Sequence, residues 1–82
     1  MGRTLRSPGH LALMGALKKA RIASELTQTQ LADLLHRPQS FVAKYENGER
    51  KIEVVEFVQI TEALGVCGSD ILKLVKKAEL TK

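Results

Sequence analysis

Residues 28–47, QTQLADLLHRPQSFVAKYEN, leave a chain like this few ways to fold. Pro38 disfavours helical geometry at the residue before it, so a helix begun near Gln28 has to stop by His36. The same proline suits the opening turn of a new helix, where its missing N–H forfeits no bond. Asn47-Gly48 then stops that second helix with a turn signal. The spacing therefore predicts two short helices joined by a tight turn. Leu31, Ala32 and Leu35 form the inner face of the first, and Val42 and Tyr45 that of the second. Gln39, Ser40, Ala43 and Lys44 face outward. The rest of the chain reads as the core that holds this pair.

The flanks carry their own signals. Residues 1–7 read as a flexible basic arm. Ser7 can cap a helix opened by Pro8. That helix, about 8–23, puts Leu13, Leu17 and Ala20 on one stripe, with Lys18, Lys19 and Arg21 mostly off it. Thr27 and Gln30 make a capping box for the next helix. After the charged loop GERKI, Ile52 and Phe57 are spaced as a hydrophobic staple. The fourth helix, about 53–64, buries Phe57, Ile60, Ala63 and Leu64, and Gly65 suits its left-handed cap. Ser69 is expected to cap a fifth helix at about 70–80. Ile71, Leu72 and Val75 are its apolar side, and Lys73, Lys76 and Lys77 its wet side. Asp70 early and lysines late both suit the helix dipole. No strand-like alternation and no repeat is present. The expected fold is all-α, five short helices in one domain over residues 8–80, with the paired-helix motif at 28–47.

Composition narrows the function classes. At 82 residues the chain is one small domain, marginal alone and helped by a partner subunit. The formal net charge of +4 favours an anionic partner. One cysteine, Cys67, excludes a disulfide framework within the chain, which suits a reducing cytosol. It reads as a small apolar residue near a subunit seam. No apolar run approaches the ~20 residues of a membrane span. A signal-peptide core is missing too, because Gly15, Lys18 and Lys19 interrupt residues 11–20. A soluble protein of the cytoplasm, on the nucleoid, is expected. His10 and His36 are far apart, without ligand-like neighbours, so no metal is expected. With no Cys/His pair near each other, no Gly-rich phosphate loop and no metal cluster, neither an enzyme nor a cofactor is expected.

The second short helix has what a DNA reader needs. A helix fits the major groove, where base edges carry a full donor and acceptor code. Gln39 has an amide that can pair with an adenine edge. Ser40 can meet a base or a phosphate, and Lys44 a guanine edge or a phosphate. Gln28, at the start of the preceding helix, would meet the backbone, where the helix dipole favours phosphate. Arg37, Asn47, Arg50 and Lys51 lie at the turn or just past the reader helix, where backbone contacts are expected. Phe41 either packs on the loop before the fourth helix or touches a thymine methyl.

The segments LTQTQLADLL, PQSFVAKYENGERKI and FVQITEALGV closely resemble the lambda-repressor-like helix-turn-helix family, of the Cro/repressor or Xre type. The match runs over about residues 11–66. The RPQSFVAKYENGER run is similar to small bacterial or phage regulators of this class. The resemblance implies a five-helix domain, a homodimer and binding of double-stranded DNA at roughly palindromic operators. It implies transcription regulation, with repression the leading form, and no small-molecule ligand is evident. By position it makes Gln28 a phosphate contact and Gln39, Ser40 and Lys44 base-facing. It also implies an internal ion pair between Arg21 and Glu46. The chain departs from the family at two places where glycine is common, with Glu25 before Leu-Thr-Gln and His36 at the turn after the second helix. Ile71, Leu72 and Val75 are the expected dimer surface. The alternative is an antitoxin-like or other protein-interaction module whose main partner is a protein; a long extra tail for such a partner is absent.

Overall fold

The computed structural model describes residues 7–81. Five helices follow in order: α1 Pro8–Ala23, α2 Gln28–Leu35, α3 Gln39–Glu46, α4 Val54–Leu64 and α5 Gly68–Leu80. No strand occurs among the described residues. Residues 1–6 of the expected basic arm lie outside them, and Ser7 is the N-cap of α1.

The helix starts follow local chemistry. The Ser7 hydroxyl accepts the His10 N–H at 3.2 Å, and Pro8 occupies the first turn. Thr27 Oγ1 accepts the Gln30 N–H at 3.0 Å while the Gln30 side chain accepts the Thr27 N–H at 2.8 Å. α1 has no acidic residue in its own first turn. Glu79 supplies one from α5: its Oε1 accepts the Gly9 N–H at 2.7 Å. A carboxylate there complements the positive end of the helix dipole. A side chain at Gly9 would run into Glu79, so glycine permits the close approach of α1 and α5.

The first four helices end in one way. After each, a residue turns left-handed: Glu25 at φ 60°, His36 at 58°, Gly48 at 79° and Gly65 at 68°. The next N–H then reaches back five residues. Leu26 bonds to the Arg21 carbonyl at 3.2 Å, Arg37 to Ala32 at 3.0 Å, Glu49 to Lys44 at 2.8 Å and Val66 to Thr61 at 3.1 Å. Such closures satisfy carbonyls that the last turn would leave open. Glycine adopts this geometry freely, whereas Glu25 and His36 hold it against their own Cβ.

The core draws on every helix. Leu17, Leu31, Val42, Tyr45 and Ile60 are fully enclosed, and Phe41, Phe57, Leu64 and Ile71 join them. α5 lies chiefly along α1. Ile71, expected on a dimer surface, is therefore a core residue at 7% exposure. Val75 is partly buried against the same core, and Leu72 is exposed. α5 also starts two residues before the expected point, so Ser69 lies inside it and caps nothing. The Cys67 carbonyl already accepts from the Asp70 and Ile71 amides, and Gly68 sits against the Phe57 ring, so packing sets the start. Cys67 is exposed, with its sulfur 3.1 Å from the Ser69 hydroxyl, which lowers the thiol pKa.

Candidate nucleic-acid interface

α3 is pinned by its inner side. Phe41, Val42 and Tyr45 are buried, so the helix cannot roll, and Gln39, Ser40 and Lys44 stay exposed on the other face. Two polar networks, one at each flank, fix what that face presents.

The first network begins inside the protein. Arg21, off the apolar stripe of α1, is nonetheless buried. Its Nε donates to Glu46 Oε2 at 2.8 Å and its Nη2 to Oε1 at 3.1 Å. Nη1 donates to the Leu26 carbonyl at 2.8 Å, so the pair also ties down the turn before α2. The bond to Glu46 raises the Arg21 pKa further. The network then runs outward. Gln28 Nε2 donates to Glu46 Oε1 at 2.9 Å, and Gln39 Nε2 donates to Gln28 Oε1 at 2.7 Å. Gln28 thus touches both ends of α3. An amide carries two N–H donors and a carbonyl acceptor, so Gln39 keeps one of each outside its bond to Gln28.

The second network centres on a residue that the sequence reading missed, Glu56 in the first turn of α4. Arg50 grips it with both ends, Nη1 to Oε1 at 2.7 Å and Nη2 to Oε2 at 2.8 Å. Arg37 Nη2 reaches Oε2 at 2.7 Å. The Glu53 N–H adds a bond to Oε1 at 3.0 Å, and Arg50 Nη1 also donates to the Lys51 carbonyl at 3.0 Å. Arg50's hydrogen bonds, ahead of those from Glu53 and Arg37, hold the Glu56 carboxyl down to about 2 against the opposing effect of burial. Both guanidiniums lie over the Phe41 ring, Arg37 at 4.1 Å and Arg50 at 4.9 Å from its centroid. Phe41 meets Tyr45 edge-on at 5.4 Å, so the platform rests on the core. Phe41 is therefore buried under the loop arginine. The signal for Glu56 was an acid inside the apolar run VVEFV.

These residues converge. Arg37, Pro38, Ser40, Phe41, Lys44 and Arg50 line one cleft of about 270 Å³ beside α3. Lys51 and Asn47 are exposed just past α3 and outside that cleft. No cluster suited to a metal ion occurs among the described residues, and no described helix is long and apolar enough to cross a membrane.

Comparison with known proteins agrees with this architecture. A helix-turn-helix family model matches residues 17–72. No curated protein matches the chain. Among solved structures, an XRE-family like protein from Pseudomonas syringae is 40% identical over 83% of each chain, with a TM-score of 0.78. The restriction-modification controller protein C.AhdI from Aeromonas hydrophila is 26% identical, covering 76% of this chain and 94% of that one, with a TM-score of 0.70. The clp gene regulator ClgR from Corynebacterium glutamicum shares the fold, with a TM-score of 0.76 over 87% of this chain and 91% of its own, at 21% identity. A helix-turn-helix pair whose second helix is fixed from within and flanked by cations, and a match over most of the chain, lead to one conclusion: the protein belongs to the XRE, lambda-repressor-like helix-turn-helix family and is a DNA-binding transcription regulator.

Proposed function

We propose that the chain is a cytoplasmic repressor that binds a two-fold symmetric operator as a homodimer, with residues 8–80 acting as one DNA-binding unit. Gln39, Ser40 and Lys44 face the bases. Arg37, Asn47, Arg50 and Lys51 contact the backbone. Gln28, tied to Gln39, orients the reader amide as well as lying near phosphate. The carrying observation is the Arg21–Glu46–Gln28–Gln39 chain of hydrogen bonds, which runs from a buried ion pair to the exposed tip of α3. Such a chain pre-orients a base-reading group, which a merely wet surface does not require.

The dimer reading rests on exposed apolar side chains of α4 and α5. Val54, Val55 and Val58 are exposed on α4, and Leu72 and Leu74 on α5. In such a dimer the two reader helices would enter successive major grooves about 34 Å apart. The controller protein likeness supports a regulatory role of this kind.

The test is selection of bound fragments from random DNA, followed by anisotropy titration at two salt concentrations. An enriched palindrome, bound far above random DNA and weakening with salt, is the expected result. Lys44→Ala should weaken operator binding, and equal affinity would remove Lys44 from the interface. Weak binding without an enriched sequence would sink the operator reading. A single-subunit mass in solution at operator-binding concentrations would remove the homodimer.

A further inference from the structure

We infer that Glu56 is a positioning residue for DNA: it locks Arg37 and Arg50 over the Phe41 ring as one preformed clasp for a backbone phosphate, in the cleft bordered by Ser40 and Lys44. The inference rests on the DNA-binding reading and deepens it, because it assigns a role to a residue outside the helix-turn-helix pair.

Free arginines are poor preformed ligands. Each has a long side chain whose rotamers must be frozen when it meets a phosphate. Here the freezing is done in advance. Glu56 takes both Nη groups of Arg50 and one of Arg37, and Phe41 holds the two guanidiniums against its ring. The carboxylate is nearly enclosed, with 11% of its side chain exposed, and a backbone bond from Glu53 anchors it to the start of α4. The arginines keep 36% and 35% of their side chains exposed. Guanidinium has five N–H donors, so the edges turned away from Glu56 remain for an anion.

The charge pattern fits the same occupant. Glu56 and Glu53 set two carboxylates beside Arg50, against the three cations Arg37, Arg50 and Lys44 that line the cleft, so it stays net positive. Its floor and wall are Phe41 and Pro38, which offer no hydrogen bond, while Ser40 adds a hydroxyl at the rim. A tetrahedral anion that accepts several donors matches this lining. A phosphate of the DNA backbone is the one that would arrive with α3 in the major groove.

The sign of one substitution separates positioning from plain electrostatics. Removing an acid beside phosphates should, by charge alone, tighten binding to every duplex. Removing a positioning acid should instead weaken the site that needs exact geometry. Glu56→Gln is therefore expected to lower affinity for the selected operator about tenfold, while a random duplex is bound equally or more tightly. Arg37→Ala and Arg50→Ala should weaken both duplexes and each reduce the salt slope by about one. On the Arg50→Ala background, Glu56→Gln should cost much less than it does in the wild type.

The experiment is anisotropy titration of operator and random duplexes at two salt concentrations, with protein shown folded at the assay temperature by thermal melting. If Glu56→Gln melts too low, Phe41→Leu takes its place. It keeps an apolar floor, removes the π face and should likewise weaken the operator selectively. Equal tightening of both duplexes, or no change in either, would overturn the clasp. Parallel weakening of both duplexes by a variant that is fully folded would leave no selective positioning and overturn it too. If the wild type binds the operator and the variant matches it, only the clasp falls. If the wild type binds no duplex, the DNA-binding reading itself fails.

Discussion

The third helix, α3, is flanked by two acid–arginine networks that look alike in outline and differ in burial. Glu46 meets Arg21 with side chains 1% and 11% exposed. Glu56 meets Arg37 and Arg50, whose side chains keep about a third of their surface open. The first is largely covered between α1 and α3, and its charges have little water to fall back on. The second sits at the rim, where solvent screens the ions and the arginines still face outward. One network therefore holds the fold and orients Gln39 from behind, and the other presents cations. The lesson is that the same residue pair serves stability or display according to how far it is covered.

The most severe way to break this contrast is Glu46→Ala. It leaves the Arg21 guanidinium buried without its counter-ion and removes the acceptor for Gln28. Breaking a buried pair from one side costs about 3–5 kcal/mol, against roughly 4–12 kcal/mol of total stability for a chain this size. Urea unfolding should show most of the stability gone. Replacing both partners with apolar residues, Arg21→Met with Glu46→Leu, should restore much of it, since no charge is then stranded. A double variant as unstable as the single one would mean that the network beyond the pair carries the effect.

Glu56→Gln should cost less, about 1–2 kcal/mol, because its arginines can turn to water. This loss has a pH signature. The Glu56 carboxyl is held down to about 2 from its usual value near 4.5. A lowered acid contributes stability that is complete above the unfolded value and is lost as pH falls through the folded one. The gap between wild type and Glu56→Gln should thus be flat from pH 5 to 8 and close between about 4.5 and 2. Unfolding both proteins across that range is the check. A gap that stays constant at pH 2 would show that the carboxylate charge is irrelevant.

Little of this contrast can be read along the chain. The helix limits around the motif are local: Pro38 ends one element, Thr27 and Gln30 cap another, and Gly48 and Gly65 turn left-handed where a glycine should. Ser69 has the chemistry of a cap, yet α5 begins at Gly68, where contact with Phe57, distant in sequence, sets the start. Ile71 and Leu72 are adjacent on one helix, so periodicity marks an apolar side without saying which edge α1 covers. Arg21 lies off the stripe by period, and only the family resemblance paired it with Glu46. Glu56 gathers residues from the α2–α3 turn, the loop after α3 and α4 itself. No local pattern joins those segments, and an acid between Val55 and Phe57 was the one visible trace.

The smallest expected effect concerns the turns on which the two networks hang. Glu25 precedes Leu26, whose carbonyl takes Arg21, and His36 precedes Arg37. Both residues are left-handed where glycine would be unstrained. An L-residue gives up about 1–2 kcal/mol in this conformation, and glycine returns about half of that as extra freedom in the unfolded chain. Glu25→Gly and His36→Gly should each stabilise by about 0.5 kcal/mol, which thermal melting can resolve as a few degrees. Their consequences for DNA should diverge. The turn at Glu25 serves a sealed pair, which stays in place whatever the flexibility of one flanking residue. The turn at His36 carries Arg37 directly into the open network, so a looser backbone there should soften the operator affinity slightly even as the protein melts higher. If both variants gain stability and neither changes DNA binding, rigidity of the α2–α3 turn is no part of presentation. If His36→Gly loses stability instead, the imidazole must make a contact that offsets its strained backbone.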